Sequence, residues 1–258
     1  MSSLTKILVV FLMAIGSTSL AQNALFEKGN ALYNDGKFQE AINAYKEILS
    51  ADKHSAEVYF NLANAYYKTN QVAPSIYYYE KALQLSPNDK DIQNNLAFAQ
   101  NMTIDAIDII PEVGFTKLIN NTTNTFSFDA WSLIAISGVI LFVMLFLIYY
   151  FSYSTARKRL LFVSSFACLI LGLIALTFAF KKYDMVQNDR PAIVFAEESE
   201  IKTEPNLRSD NAFSLHEGTK VQVLEDFDDN WSKIQLSDGK TGWILKNNIK
   251  LFLYLKKC

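Results

Sequence analysis

The side chains able to act as nucleophiles or soft metal ligands are few and scattered. The 258 residues hold two cysteines, Cys168 and Cys258, and two histidines, His54 and His216. Two thiols are too few for a disulfide framework or a cysteine-based zinc site. No Gly-x-Ser-x-Gly elbow, phosphate-binding Gly-Lys-Ser/Thr loop or His-Glu-x-x-His helix occurs. The acids Glu197-Glu198 and Asp226, Asp228 and Asp229 read as solvated turns, with a loosely held Ca²⁺ as the alternative. Cys168 lies inside a long apolar run, and Cys258, at the chain end, has no histidine beside it in sequence. This inventory points away from catalysis and requires no cofactor or metal. The chemistry left to the chain is non-covalent binding.

Composition narrows the partners. Twenty-four basic against 26 acidic residues give a net charge of −2, without the basic excess that a nucleic-acid partner demands. Half the residues are hydrophobic and 19% charged, which excludes a disordered chain.

The elements that would position binding groups begin with a leader. Lys6, the apolar run Ile7–Ile15 and Ser19-Leu20-Ala21 match a secretory signal peptide over 1–21, with an uncleaved anchor as the alternative. Gln22 rules out a lipid-modified cysteine at that position. Trp131–Phe151 and Leu160–Phe180 are each 21 residues without a charge. As helices each spans about 30 Å, the thickness of a hydrocarbon core, so residues 131–180 are expected among membrane lipid. The intervening loop, 152–159, carries Arg157-Lys158-Arg159, and its positive charge predicts a cytoplasmic location. Both flanking regions then share the opposite compartment. Neither span holds the ionisable groups of a transport pathway, so an anchor is expected. Ser164, Cys168 and Gly172 form a stripe of small residues for close helix approach, from a partner or from the first span. Residues 111–130 read as an Asn/Thr-rich linker.

At a shift of 34 residues the chain pairs Gly29 with Ala63, Tyr33 with Tyr67, Gly36 with Asn70, Tyr45 with Tyr79 and Leu49 with Leu83. Small residues let antiparallel helices approach, and Pro87 stops the second unit. Residues 22–110 therefore resemble the tetratricopeptide-repeat family, with repeats over 22–55 and 56–89 and a capping helix over 90–102. Tyr59, Leu62, Ala63, Tyr66, Tyr79, Ala82 and Pro87 carry the resemblance. It implies a concave groove for peptides, faced by Phe26, Asn30, Tyr33, Phe60, Asn64, Tyr67, Lys68 and Phe98, or, as the competing reading, aromatic groups spent on the core.

Beyond Lys182 short alternating runs take over: Ala192–Phe195, Lys220–Glu225, Trp231–Leu236, Thr241–Leu245 and Ile249–Leu253. Asp238-Gly239 between the third and fourth is a hairpin signal. The motifs Leu215-His-Glu-Gly-Thr-Lys-Val, Trp231-Ser-Lys-Ile and Gly239-Lys-Thr-Gly-Trp243 resemble the bacterial SH3 family over 190–254. That likeness implies a small β-barrel binding wall peptides or protein segments, with Phe227, Trp231 and Trp243 as candidate contacts. Trp243 has a competing place inside the barrel.

The expected fold class is multidomain α plus β: helical repeats, a two-helix transmembrane hairpin and a small SH3-like barrel. That order resembles the BatE family of Bacteroides aerotolerance proteins. The resemblance implies a non-enzymatic scaffold in the inner membrane, with both soluble domains in the periplasm. Its implied partners are von Willebrand A-domain and repeat-containing membrane proteins in an aerotolerance or envelope-stress complex. Peptidoglycan binding through the barrel is the alternative.

Overall fold

The computed structural model describes residues 24–107 and 114–252. The expected signal peptide and Cys258 lie outside the described residues. The fold is α plus β, with helical repeats, a C-terminal antiparallel sheet of the SH3-like type and two long apolar helices. It divides into two compact units, one built from both flanks of the chain and one from residues 110–189.

In the first unit, α1 (24–34), α2 (Phe38–Ser50), α3 (Ala56–Lys68), α4 (Val72–Leu85) and α5 (Lys90–Gln100) follow one another through tight turns. Gly36 and Asn70, at equivalent places in the repeat, both take positive φ, +76° and +57°, where glycine and asparagine are tolerated. Ser55 starts α3 by accepting from the Val58 N–H, and Asp89 starts α5 by accepting from Asp91 and Ile92. A Cβ on Gly29 would stand 2.5 Å from the Tyr45 ring, so a glycine there admits the tyrosine. Ser75, fully buried, donates to the Ala63 carbonyl at 3.1 Å and so pays no desolvation penalty.

The same unit contains seven antiparallel strands: β1 (Pro191–Val194), β2 (Glu198–Lys202), β3 (Asn211–His216), β4 (Lys220–Asp226), β5 (Trp231–Gln235), β6 (Thr241–Leu245) and β7 (Ile249–Leu251). They pair in the order β3-β2-β6-β5-β4-β1-β7. The Asp238-Gly239 turn closes β5 onto β6, with Gly239 at φ +85°. Val194, Ile201, Val221, Val223, Ile234 and Ile244 fill the barrel core.

Helices and barrel share a seam. All four residues of β1 are buried, because Ala192 and Val194 face the barrel core while Ile193 joins the helical core with Ile76, Tyr77 and Phe252. The Tyr77 ring meets Phe195 and Phe252 edge-on at 5.7 and 6.1 Å. Gly218 lies against Val72, Ile76 and Thr103, where a Cβ would approach to 2.8 Å. Glu80 takes Lys220 at 2.7 Å. Asp105, beyond α5, accepts from the His216 backbone N–H (2.7 Å), His216 Nδ1 (2.8 Å) and Thr219 Oγ1 (2.6 Å).

Burial by itself would raise the Asp105 carboxyl, but the donors from His216 and Thr219 outweigh it and hold the carboxyl below its ordinary value. The bond to Asp105 holds the His216 ring above its own. Asp105 therefore stabilises the seam above about pH 4 and loses this as pH falls through its depressed value. His216 contributes fully below about pH 6.5 and loses this as pH rises through its raised value. The melting temperature is expected to fall between pH 6 and pH 9, and Asp105→Asn to flatten that slope. Equal slopes in both proteins, read by circular dichroism, would sink the assignment.

In the second unit, α6 (Gly114–Asn124), α7 (Phe128–Phe151) and α8 (Thr155–Asn188) follow in order. The supposed linker 111–130 is thus largely helical. Phe115, Leu118 and Ile119 at helical spacing supply the pattern that its Asn/Thr content obscured. The turn between the long helices is also shorter than the expected 152–159, since Thr155–Arg159 already belong to α8. Helices α7 and α8 are long and apolar enough to cross a membrane, with mean hydropathies of 2.7 and 2.5. Gly172 packs on Gly138 of α7, so within this unit the small-residue stripe serves the hairpin itself. Trp131 stacks on Phe178 at 4.9 Å and donates its indole N–H to the Thr123 carbonyl of α6.

Candidate ligand groove and barrel surface

The 34-residue repeat reappears as a repeated hydrogen-bond triad. Asn30 Oδ1 accepts from the Tyr45 hydroxyl (2.8 Å) and from Asn61 Nδ2 (3.0 Å). One period later Asn64 Oδ1 accepts from the Tyr79 hydroxyl (2.5 Å) and from Asn95 Nδ2 (3.1 Å). Each triad ties the second helix of one repeat to the first helices of that repeat and the next. Burial pushes the Tyr45 hydroxyl up to about 12, with the charge of Tyr33 adding to it, and burial likewise raises Tyr79. Both hydroxyls therefore stay protonated donors, and each asparagine oxygen is committed. Asn30, Asn61 and Asn64 line the groove, and Asn95 on α5 bonds the last of them.

Asn30, Tyr33, Asn34, Tyr45, Asn61 and Asn64 line an open polar pocket of about 300 Å³. The structure thus brings together Asn30, Tyr33 and Asn64 of the expected groove. Phe26 and Phe60 are half-buried against Tyr45 and Tyr79, at 6.2 and 5.9 Å, and wall the site by fixing its tyrosines. Tyr67 is half-buried on the helical core. Lys68 is exposed in the last turn of α3, and Phe98 is 60% exposed on α5; neither lines the cavity. Sequence reasoning missed Asn34, Asn61 and Asn95. For Asn61 and Asn95 the signal was present, because they too stand one period apart.

On the barrel, the expected roles of two tryptophans are exchanged. Trp231 is 6% exposed and offers no contact surface. It opens β5 with its ring turned inward, and the Asp228 carboxylate holds its backbone N–H at 2.8 Å. Trp243 is only half-buried and meets Phe227, itself 63% exposed, at 5.9 Å. Lys233 lies 5.6 Å over the Trp243 ring. Gly242 lets β6 pass β2, since a Cβ there would stand 2.4 Å from Ile201.

The acidic clusters are structural in part. Asp226 accepts from Ser232 and Arg190, both at 2.6 Å, and these partners hold its carboxyl below the usual range against burial. Among the described residues no three His, Cys, Asp or Glu side chains converge to hold a metal. His54 bridges Asp52 and the Tyr59 hydroxyl.

A tetratricopeptide-repeat family model matches residues 26–90, and a bacterial SH3 domain model matches residues 200–250. The chain is 34% identical over 77 residues to Sperm-associated antigen 1 of Mus musculus, covering 30% of this chain and 8% of that protein. It is 29% identical over 92 residues to Photosystem I assembly protein Ycf3 of Synechococcus sp. (strain CC9605), covering 34% of this chain and 53% of that protein. The chain therefore spans about half, or far less, of the relatives it matches. Both modules found here are of kinds that typically bind protein segments rather than catalyse reactions.

Proposed function

We propose that this protein is a non-enzymatic, membrane-anchored periplasmic scaffold of the BatE type, holding protein partners in an aerotolerance or envelope-stress complex. The observation that carries the reading is the pair of asparagine triads in the groove. Their fixed amide donors and acceptors, one period apart, match the alternating C=O and N–H groups of an extended peptide. The partners proposed are von Willebrand A-domain and repeat-containing membrane proteins. The name of the cyanobacterial relative, an assembly protein, agrees with a scaffolding role. Two further points support an inner-membrane, two-pass topology. Helices α7 and α8 are apolar enough to span, and residues from both flanks of this hairpin share one core, an arrangement in keeping with both flanks on one side.

Groove binding predicts that Asn64→Ala combined with Tyr67→Ala removes co-purifying partners when the full chain is isolated from its native membrane in mild detergent. Unchanged partners from a folded variant would remove the groove from the function. A second reading, peptidoglycan binding, is favoured by the exposed Phe227–Trp243 pair with Lys233, an aromatic and cationic patch of the kind that binds sugar-peptide polymers. It predicts that the full chain sediments with purified peptidoglycan, and that Phe227→Ala with Trp243→Ala releases it.

A further inference from the structure

Helix α6 leaves an apolar face exposed. At helical spacing Phe115, Leu118, Ile119 and Thr122 fall within an arc of about 100°, and Lys117, Asn121 and Asn124 lie on the other side. Phe115 is 76% and Leu118 60% exposed, while Ile119 is half-buried. The Thr122 hydroxyl returns to the Leu118 carbonyl at 2.9 Å, so its hydrogen bond is made within the helix. A lone helix of 11 residues rich in Asn and Thr is marginal in water, and burying this face would stabilise it.

What covers the face follows from where the helix is tied. The Thr123 carbonyl accepts from the Trp131 indole N–H of α7 at 3.1 Å, and Asn124 Oδ1 accepts from Lys182 Nζ of α8 at 2.8 Å. Around these tethers Phe126 meets Trp131 edge-on at 5.2 Å, and Phe128 lies 5.4 Å from Tyr183. At the same level α7 opens with Asp129 in its first turn, and α8 passes from its uncharged run to Lys181, Lys182 and Asp184. Tryptophan, tyrosine and flanking lysines at the end of an apolar span mark a boundary between hydrocarbon and water. The C-terminal turn of α6 is therefore fastened where the apolar surface of the hairpin gives way to charge.

We propose that α6 is an interfacial helix whose Phe115, Leu118 and Ile119 enter the boundary between headgroups and acyl chains in the leaflet where the hairpin emerges. Lys117 and Asn121 stay on the water side. The partner of this face is the bilayer surface itself, with no demand for a particular headgroup, because Lys117 is the one charged residue of α6. The inference rests on the reading of α7 and α8 as a membrane hairpin, and it is independent of what the groove binds.

The test attaches a nitroxide to single cysteines in a Cys168→Ala, Cys258→Ser background of the full chain, reconstituted in phosphatidylcholine liposomes. Spin relaxation reads the access of each label to oxygen and to a water-soluble nickel chelate. Ile140→Cys, at an exposed position of α7, monitors the hairpin. Phe115→Cys and Leu118→Cys monitor the apolar face, and Lys117→Cys the opposite side. The Ile140→Cys label is expected deep in the bilayer, the Phe115→Cys and Leu118→Cys labels about 5–10 Å below the headgroups, and the Lys117→Cys label open to nickel. If the two apolar-face labels are as open to nickel as Lys117→Cys while Ile140→Cys stays deep, the interfacial helix is overturned and the hairpin stands. Shielding of both from oxygen and nickel alike would mean protein cover, from a second copy of the chain, and would overturn it as well. An Ile140→Cys label open to nickel would instead remove the membrane hairpin, and the inference with it.

Discussion

Replacing Tyr77 by alanine is expected to destabilise the first unit by about 3–5 kcal/mol and to split its melting into separate helical and barrel transitions. The ring is 4% exposed and meets both Phe195 and Phe252 edge-on. Removing it leaves a void that neither a helix nor a paired strand can collapse into. Tyr77→Phe should behave nearly as wild type, because the hydroxyl gives only a long bond of 3.4 Å to the Leu251 carbonyl. Thermal unfolding of the full chain, followed by circular dichroism and by limited proteolysis, reads both effects. A single transition at the wild-type temperature in Tyr77→Ala would mean that the seam contributes no cooperativity.

The second large effect is expected in the hairpin. A Cβ at Gly138 would stand 2.9 Å from the Gly172 Cα and 3.0 Å from the Cys168 carbonyl oxygen. These are backbone atoms of α8 and cannot swing aside. Gly138→Leu must therefore push the two helices apart, at a cost of about 1–3 kcal/mol or more. Leu171→Ala, on an outward face, should change little. In a Cys258→Ser background Cys168 is the sole thiol, and its labelling by a membrane-permeant maleimide reports the gap. Labelling is expected to speed up in Gly138→Leu and to stay slow in Leu171→Ala. Equal rates would show that the glycine contact does not hold the hairpin closed.

How far the sequence foretold this depended on how regular each signal was. The 34-residue period is exact over two repeats, so Tyr45 and Tyr79 and their turns at Gly36 and Asn70 were legible. Uncharged runs and an Asp-Gly turn are equally local and were legible too. Strands β2 and β3 were not read as strands. Glu198-Ser-Glu-Ile-Lys carries a single large apolar residue, and the edge strand β3 keeps half of its side chains exposed and buries only Leu215. The seam is a non-local fact: Ile193 looks like one more barrel residue until the helical core stands on its other side. The tryptophans exchanged roles because two ring-bearing strands of one small barrel present the same alternation, and only the register decides which ring turns inward. In the groove, the asparagines were legible as polar groups but not as members of triads, since a triad needs two repeats stacked.

The seam also fixes an order of events in synthesis. Tyr77 bonds a residue 174 positions later, and Gln84 one 168 later, with the hairpin made in between. Helices α1 to α5 are complete long before β1 and β7 exist, so the α4 face around Ile76 and Tyr77 must wait uncovered while two apolar helices are made. Closing so long a loop adds little entropy cost, about 0.6 kcal/mol per doubling of length, but it is slow. For that interval the nascent chain presents an apolar surface to its surroundings. A holding chaperone acting on the newly made protein therefore has its binding surface defined by the face that the finished molecule hides.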